Sequence, residues 1–184
     1  AGPACRSEPA VPALRMLGRR VLGAERAGDL IVLRHANHAT GHLPGGFILL
    51  NRAVLENTED PEVAAGFVLV EGLRAAQADP LEALLRQAGM FATAQLLTTG
   101  RLPDEALEGY AVSLLANDPA PLSDETVLAG FREARLSSTP YAFASDATGE
   151  TTLGLIEADP MRGQTGEPVM SDNDWLRLQT ICGE

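Results

Sequence analysis

The chain contains no lysine. All 14 of its basic residues are arginines, set against 25 acidic residues, and the net charge is −11. A protein with a pI near 4.7 has no general attraction for polyphosphate, which argues against nucleic acid as a partner. An anionic membrane surface is disfavoured for the same reason. Aromatic residues make up only 4%, so the core has to be built from Leu, Val, Ala and Ile. Long apolar runs are also missing. The longest nearly uncharged stretch, Ala36 to Asn51, is interrupted by Pro44 and by glycines and is too short and broken to span a bilayer. There is no Gly-rich phosphate loop, no Gly-x-Ser-x-Gly elbow and no Cys-x-x-Cys pair. The acidic clusters Glu56–Asp60 and Ser171–Asp174 lack calcium-loop spacing and read as helix starts and solvated loops.

What is present fits one α+β domain spanning residues 1–184, with an irregular segment over 1–12. It is mainly helical, with a small antiparallel β-hairpin or sheet packed on a buried central helix. Leu14, Leu17, Val21 and Leu22, with arginines between them, give Pro12 to Ala27 the 3–4 spacing of an amphipathic helix, broken at Gly28-Asp29. Leu30–Leu33 and Phe47–Leu50 are short apolar strand candidates on either side of Leu43-Pro44-Gly45-Gly46, and read as an antiparallel pair. Arg52 to Asn57 forms a short helix. Asp60-Pro61 is a helix start, and the helix it opens runs to about Ala78. Val63 to Val70 is apolar nearly all round, as in a buried central helix. Further helices are expected over 81–97, 102–116 and 124–136. Tyr141–Ser145 and Thr151–Ile156 read as a second hairpin or as irregular chain. A last short helix is expected from Ser171-Asp172.

One order of segments carries functional information. Leu43-Pro44-Gly45-Gly46-Phe47-Ile48 leads into a strand, the short helix follows, and then comes Pro61-Glu62-Val63-Ala64-Ala65-Gly66-Phe67-Val68-Leu69-Val70-Glu71. This resembles the gluzincin zinc metallopeptidases of the HtpX and CAAX-prenyl-endopeptidase type, including their small soluble and periplasmic members. The resemblance implies a zincin-like fold in which the corresponding helix carries His-Glu-x-x-His. Two His at i and i+4 there grip Zn²⁺, and the Glu acts as general base. At the matching positions this chain reads Val70-Glu71-Gly72-Leu73-Arg74. Val cannot ligate a metal, and Arg is permanently cationic. The family's third ligand, a Glu on a later helix, falls on Pro103, and Glu105 or Glu108 reaches that place only in a shifted register. The family's Leu-Ser-Thr-His-Pro is echoed by Leu136-Ser137-Ser138-Thr139-Pro140, with Thr139 replacing the His.

The resemblance therefore implies the scaffold while the residues remove the reaction, since without a metal there is no activated water at neutral pH. Glu71 is left as a vestigial general-base position in a cleft shared with Val70, Arg74 and Glu105. A buried carboxylate needs a partner. Arg74, three residues on, either pairs with Glu71 or points to solvent. In the family, the strand after the Pro-Gly-Gly turn borders the cleft and pairs with extended substrate. That makes Leu43, Pro44, Gly45, Gly46, Phe47, Ile48 and Leu49 the candidate peptide-binding segment. The alternative is that another part of the chain, such as Tyr141–Ile156, covers this strand.

The three histidines His35, His38 and His42 lie in the stretch corresponding to the family's edge strand. They offer either a secondary metal site or an exposed polar loop. Cys5 and Cys182 either form a disulfide, which implies an oxidising compartment, or are free thiols. The N-terminus, Ala1-Gly2-Pro3-Ala4-Cys5, reads as a mature end left after removal of an export segment, or as an artificial boundary. The expectation is a catalytically inactive metallopeptidase-like domain, periplasmic or secreted, that binds a peptide or protein and holds no cofactor. One alternative is an active metal-dependent peptidase using zinc and ligands drawn from His35, His38, His42, Glu71 and Glu105. Another is a structural accessory subunit. Oligomeric state and partner identity are not legible.

Overall fold

The computed structural model describes residues 4–43, 45–77, 119–164 and 166–183. The helices expected over 81–97 and 102–116, together with Pro44, Pro103, Glu105 and Glu108, lie outside the described residues. A 3-10 turn at Glu8–Ala10 leads into α1, Val11–Leu22, so regular structure begins before the end of the segment expected to be irregular. Ala13, Leu14, Leu17 and Gly18 of α1 face the core. The helix ends sooner than its apolar spacing suggests. Gly23 adopts φ 92° and donates its N–H to the Arg19 carbonyl, a conformation that L side chains resist.

The three strands are β1 (Leu30–Leu33), β2 (Thr40–His42) and β3 (Ile48–Asn51), in the order β1-β3-β2. β1 runs parallel to β3, with Leu30 opposite Ile48. β2 runs antiparallel to β3, with Thr40 opposite Leu50 and His42 opposite Ile48. The expected antiparallel pairing of Leu30–Leu33 with Phe47–Leu50 is thus corrected. The chain between those segments contributes a strand of its own. Gly45 and Gly46, at φ 89° and 84°, turn the chain tightly enough for Leu43 to donate to the Phe47 carbonyl at 2.8 Å. The hairpin partner of β3 is therefore β2, and β1 is left to join on the far side. Leu30, Val32, Ile48 and Leu50 are buried on one face of the sheet, while Ile31 and Leu49 on the other are half-buried, as the period of two requires.

Asn51 caps α2 (Arg52–Glu56) by accepting from the Ala53 N–H. Asp60 caps α3 (Pro61–Gln77) by accepting from the Glu62 N–H at 2.8 Å. Ser123 and Ser171 cap α4 (Asp124–Ala134) and the last helix, α7 (Asp172–Gln179). Between them, the hairpin considered for Tyr141–Ser145 and Thr151–Ile156 is replaced by two short helices, α5 (Thr139–Ser145) and α6 (Leu153–Glu157). Pro140 sits in the first turn of α5, where its missing N–H is harmless. The Asp146 carboxylate gathers the N–H and hydroxyl groups of both Thr148 and Thr151, which folds the connection into a compact loop rather than a strand turn.

α3 is the centre of the molecule and packs against β2, β3, α1, α2, α4 and α5. Val63–Gly66 and Val68–Glu71 are all buried. At Gly66 the chain approaches closely: a Cβ there would stand 2.5 Å from the Tyr141 Cβ, so the missing side chain lets α5 dock. Tyr141 meets Phe67 edge-on at 5.1 Å. Cys5 and Cys182 form a disulfide that ties the two ends of the chain together. Beside it, Cys5 donates to the Val32 carbonyl and Ser7 to the Ile181 carbonyl, so the N-terminal segment lies along the outer edge of β1. No helix among the described residues is long and apolar enough to cross a membrane.

Candidate functional site

Glu71 is the one acidic side chain buried among the described residues, 1% exposed, and it sits in an otherwise apolar stretch of α3. An ionised carboxylate inside a protein survives only if its lone pairs are filled. Here three side chains fill them. Oε2 accepts from the Thr40 hydroxyl and from Arg74 Nη1, each at 2.8 Å. Oε1 lies 2.6 Å from His42 Nδ1. Burial pushes the Glu71 pKa up, but the hydrogen bonds from His42 and Thr40 and the charge of Arg74 outweigh it. The carboxyl is held below its ordinary value, so Glu71 is ionised at neutral pH. An ionised carboxylate only accepts, so the His42 Nδ1–H is the donor of this pair.

The sequence arranges this by two periodicities. Thr40 and His42 are two apart on β2 and so project to the same face, the face turned toward α3. Glu71 and Arg74 are three apart on α3 and share a side of the helix. Arg74 is held a second time, Nε donating to the Ala120 carbonyl at 3.0 Å. Of the two alternatives for Arg74, the structure shows the ion pair. Val70 stays in the hydrophobic core and presents nothing polar.

The histidines do not converge. His35 and His38 lie in bends before β2, and His35 is exposed. Only His42 reaches Glu71. No group of three or more His, Cys, Asp or Glu side chains among the described residues is placed to hold a metal ion. Thr139, which stands at the family's later His, is also elsewhere. Its hydroxyl and N–H go to the Asp159 carboxylate, which accepts from Ser137 and from the Ser138 and Met161 N–H groups as well. That carboxylate ties the loop after α6 to the start of α5.

The candidate peptide-binding strand is corrected too. β3 is the middle strand. Ile48 donates to Asp29 on the β1 side, and Asn51 to Ala39 on the β2 side. Phe47 is an exposed turn residue with its carbonyl bonded to Leu43, and Leu43, Gly45 and Gly46 form the turn. β1 and β2 cover β3, rather than the segment Tyr141–Ile156. Among the described residues the open edge belongs to β2. Ala39–Asn51 and Leu43–Phe47 are hydrogen-bonded pairs, and in an antiparallel ladder such pairs alternate with non-bonded ones. By the register Gly41 is therefore bonded to Leu49, while Thr40 and His42 turn their N–H and C=O groups away from β3. No described backbone group meets them there.

Thr40 and Gly41 escaped the sequence reading. The signal that points to them is the Thr-x-His alternation within a strand-length segment just before a Gly-Gly turn. Comparison with family models, with curated proteins and with solved structures finds no match to this chain.

Proposed function

We propose that this chain is a non-catalytic, metallopeptidase-like domain of an oxidising compartment, periplasmic or extracellular, that binds an extended peptide along the outer edge of β2. The observation that carries this reading is the pair of backbone rungs at Thr40 and His42 that have no backbone partner among the described residues, held in place from beneath by Glu71. An exposed strand edge is a template for another strand. The buried Thr40–Glu71–His42 contacts fix its register against the central helix. On this reading Arg74 supplies the positive charge that zinc supplies in a gluzincin, and it keeps the scaffold carboxylate ionised without an open coordination site. The disulfide supports the compartment, and the net charge of −11 favours cationic peptides.

The test compares two substitutions at one position. Thr40→Pro removes the outward N–H, and Pro is tolerated on edge strands. Thr40→Val removes only the hydroxyl that reaches Glu71. With fluorescein-labelled peptides of sequence Arg-Thr-Leu-Thr-Arg, fluorescence anisotropy should show binding to the native protein and to Thr40→Val, and at least a tenfold loss in Thr40→Pro. Equal binding by all three proteins, or none by the native one, contradicts the reading.

A further inference from the structure

Resting on the reading just given, we infer that the bound peptide is selected through the single side chain that lies opposite Gly41, and that this side chain is apolar. The argument begins with the pleat. A strand added to β2 forms its hydrogen-bonded pairs at Thr40 and His42, whose side chains face α3. The peptide residue between those rungs lies opposite Gly41 in a non-hydrogen-bonded pair, the closer kind, and projects onto the outer face of the sheet. That face is vacant at Gly41. A Cβ built there meets nothing within 4 Å. A depression of about 50 Å³ opens at this spot, walled by Leu33, Ala36, His38, Leu49 and Asn51.

The surface of the walls is chiefly apolar, and no Asp, Glu or Arg lines them. Of their polar side chains, Asn51 is spent on the Ala36 and His38 carbonyls and on the Ala53 N–H, Thr40 and His42 are turned to Glu71, and His38 Nε2 is buried with no partner among the described residues. A charged side chain entering there would lose most of its hydration to largely apolar walls, whereas a Leu, Val or Met side chain would bury its surface against Leu33 and Leu49. The occupant is a cationic peptide rather than a second copy of this chain, because two copies, each of charge −11, repel one another. Gly41 is thus a specificity-determining residue whose contribution is the absence of a side chain.

The experiment uses the full chain and the labelled series Arg-Thr-X-Thr-Arg, with X as Leu, Gly or Asp. On the native protein, Leu should bind on the order of tenfold tighter than Gly, and Asp weakest. In Gly41→Leu the new side chain fills the depression, so the Leu-over-Gly preference should collapse to within about twofold. Far-ultraviolet circular dichroism and the thermal midpoint should stay unchanged, because Gly41 has room for a Cβ and is not among the glycines with positive φ. If Thr40→Pro abolishes binding but X makes no difference, or Gly41→Leu retains the preference, the selectivity inference fails while edge binding stands. If Thr40→Pro has no effect, or no member of the series binds the native protein, both fail. A concentration-dependent dimer that Thr40→Pro dissolves would name a second copy as the occupant and overturn the inference.

Discussion

Arg74 Nη1 lies 2.8 Å from Glu71 Oε2, three residues along one helix, with the carboxylate almost fully buried and the guanidinium partly so. The pair is a structural necessity of the site before it is anything else. Removing the cation leaves a buried charge with, among the described residues, the Thr40 hydroxyl and the His42 ring to satisfy it. Arg74→Met should destabilise the protein by about 3 kcal/mol, read from urea unfolding. The double variant Glu71→Gln/Arg74→Met should be less destabilised than the two single changes summed, because the second substitution removes the charge that the first strands.

Acid should act through the same carboxylate. Its folded-state pKa is depressed, so the unfolded chain takes up the proton first as pH falls. The stabilisation is fully present above the ordinary Glu value of about 4.3 and is lost as pH falls through the lower folded value. Thermal midpoints followed from pH 7 downward should fall more steeply for the native protein than for Glu71→Gln. Parallel curves would show that the contacts to Glu71 contribute no pH-dependent stability.

Two glycines should respond oppositely to the same change. Gly66→Ala drives a Cβ to 2.5 Å from the Tyr141 Cβ and should destabilise by about 2 kcal/mol as α3 and α5 are pushed apart. Gly41→Ala enters open space and should stay within about 0.5 kcal/mol of the native protein. Denaturant midpoints of the two variants check this directly.

The disulfide joins residues 177 apart in sequence, nearly the whole chain. Replacing both Cys5 and Cys182 with Ser should lower stability by about 2–5 kcal/mol. It should also raise amide exchange at Cys5 and Ser7, whose N–H groups bond across to β1 and to Ile181.

The helices were legible where a cap and an apolar spacing agreed. Asp60-Pro61, Ser123-Asp124 and Ser171-Asp172 each begin the helix they announce, and α3 is the buried central helix that its apolar run implied. The strand pairing was not legible. β2 is three residues of Thr-Gly-His without the apolar alternation that marks a strand, and only the Gly45-Gly46 turn makes it the partner of β3. That one omission turned β3 from the middle of a sheet into an apparent edge and placed the peptide-binding segment one strand away from where the open backbone groups lie. The Glu71–Arg74 pair was legible as one of two alternatives, because three-residue spacing on a helix is a local fact. Their link to Thr40 and His42 joins positions about thirty apart, and no periodicity reports on that. The short helices α5 and α6 were hidden because Asp146 and Asp159 hold their ends through side-chain contacts that composition does not reveal.

Hydrogen exchange at three neighbouring amides tests the central claim most directly. In the free protein, Gly41 should exchange slowly because its N–H is paired with β3, while Thr40 and His42 should exchange fast. With saturating Arg-Thr-Leu-Thr-Arg peptide, Thr40 and His42 should both become protected and Gly41 should change little. Binding that leaves the Thr40 and His42 amides as fast as before would place the peptide elsewhere and contradict an edge-pairing function for β2.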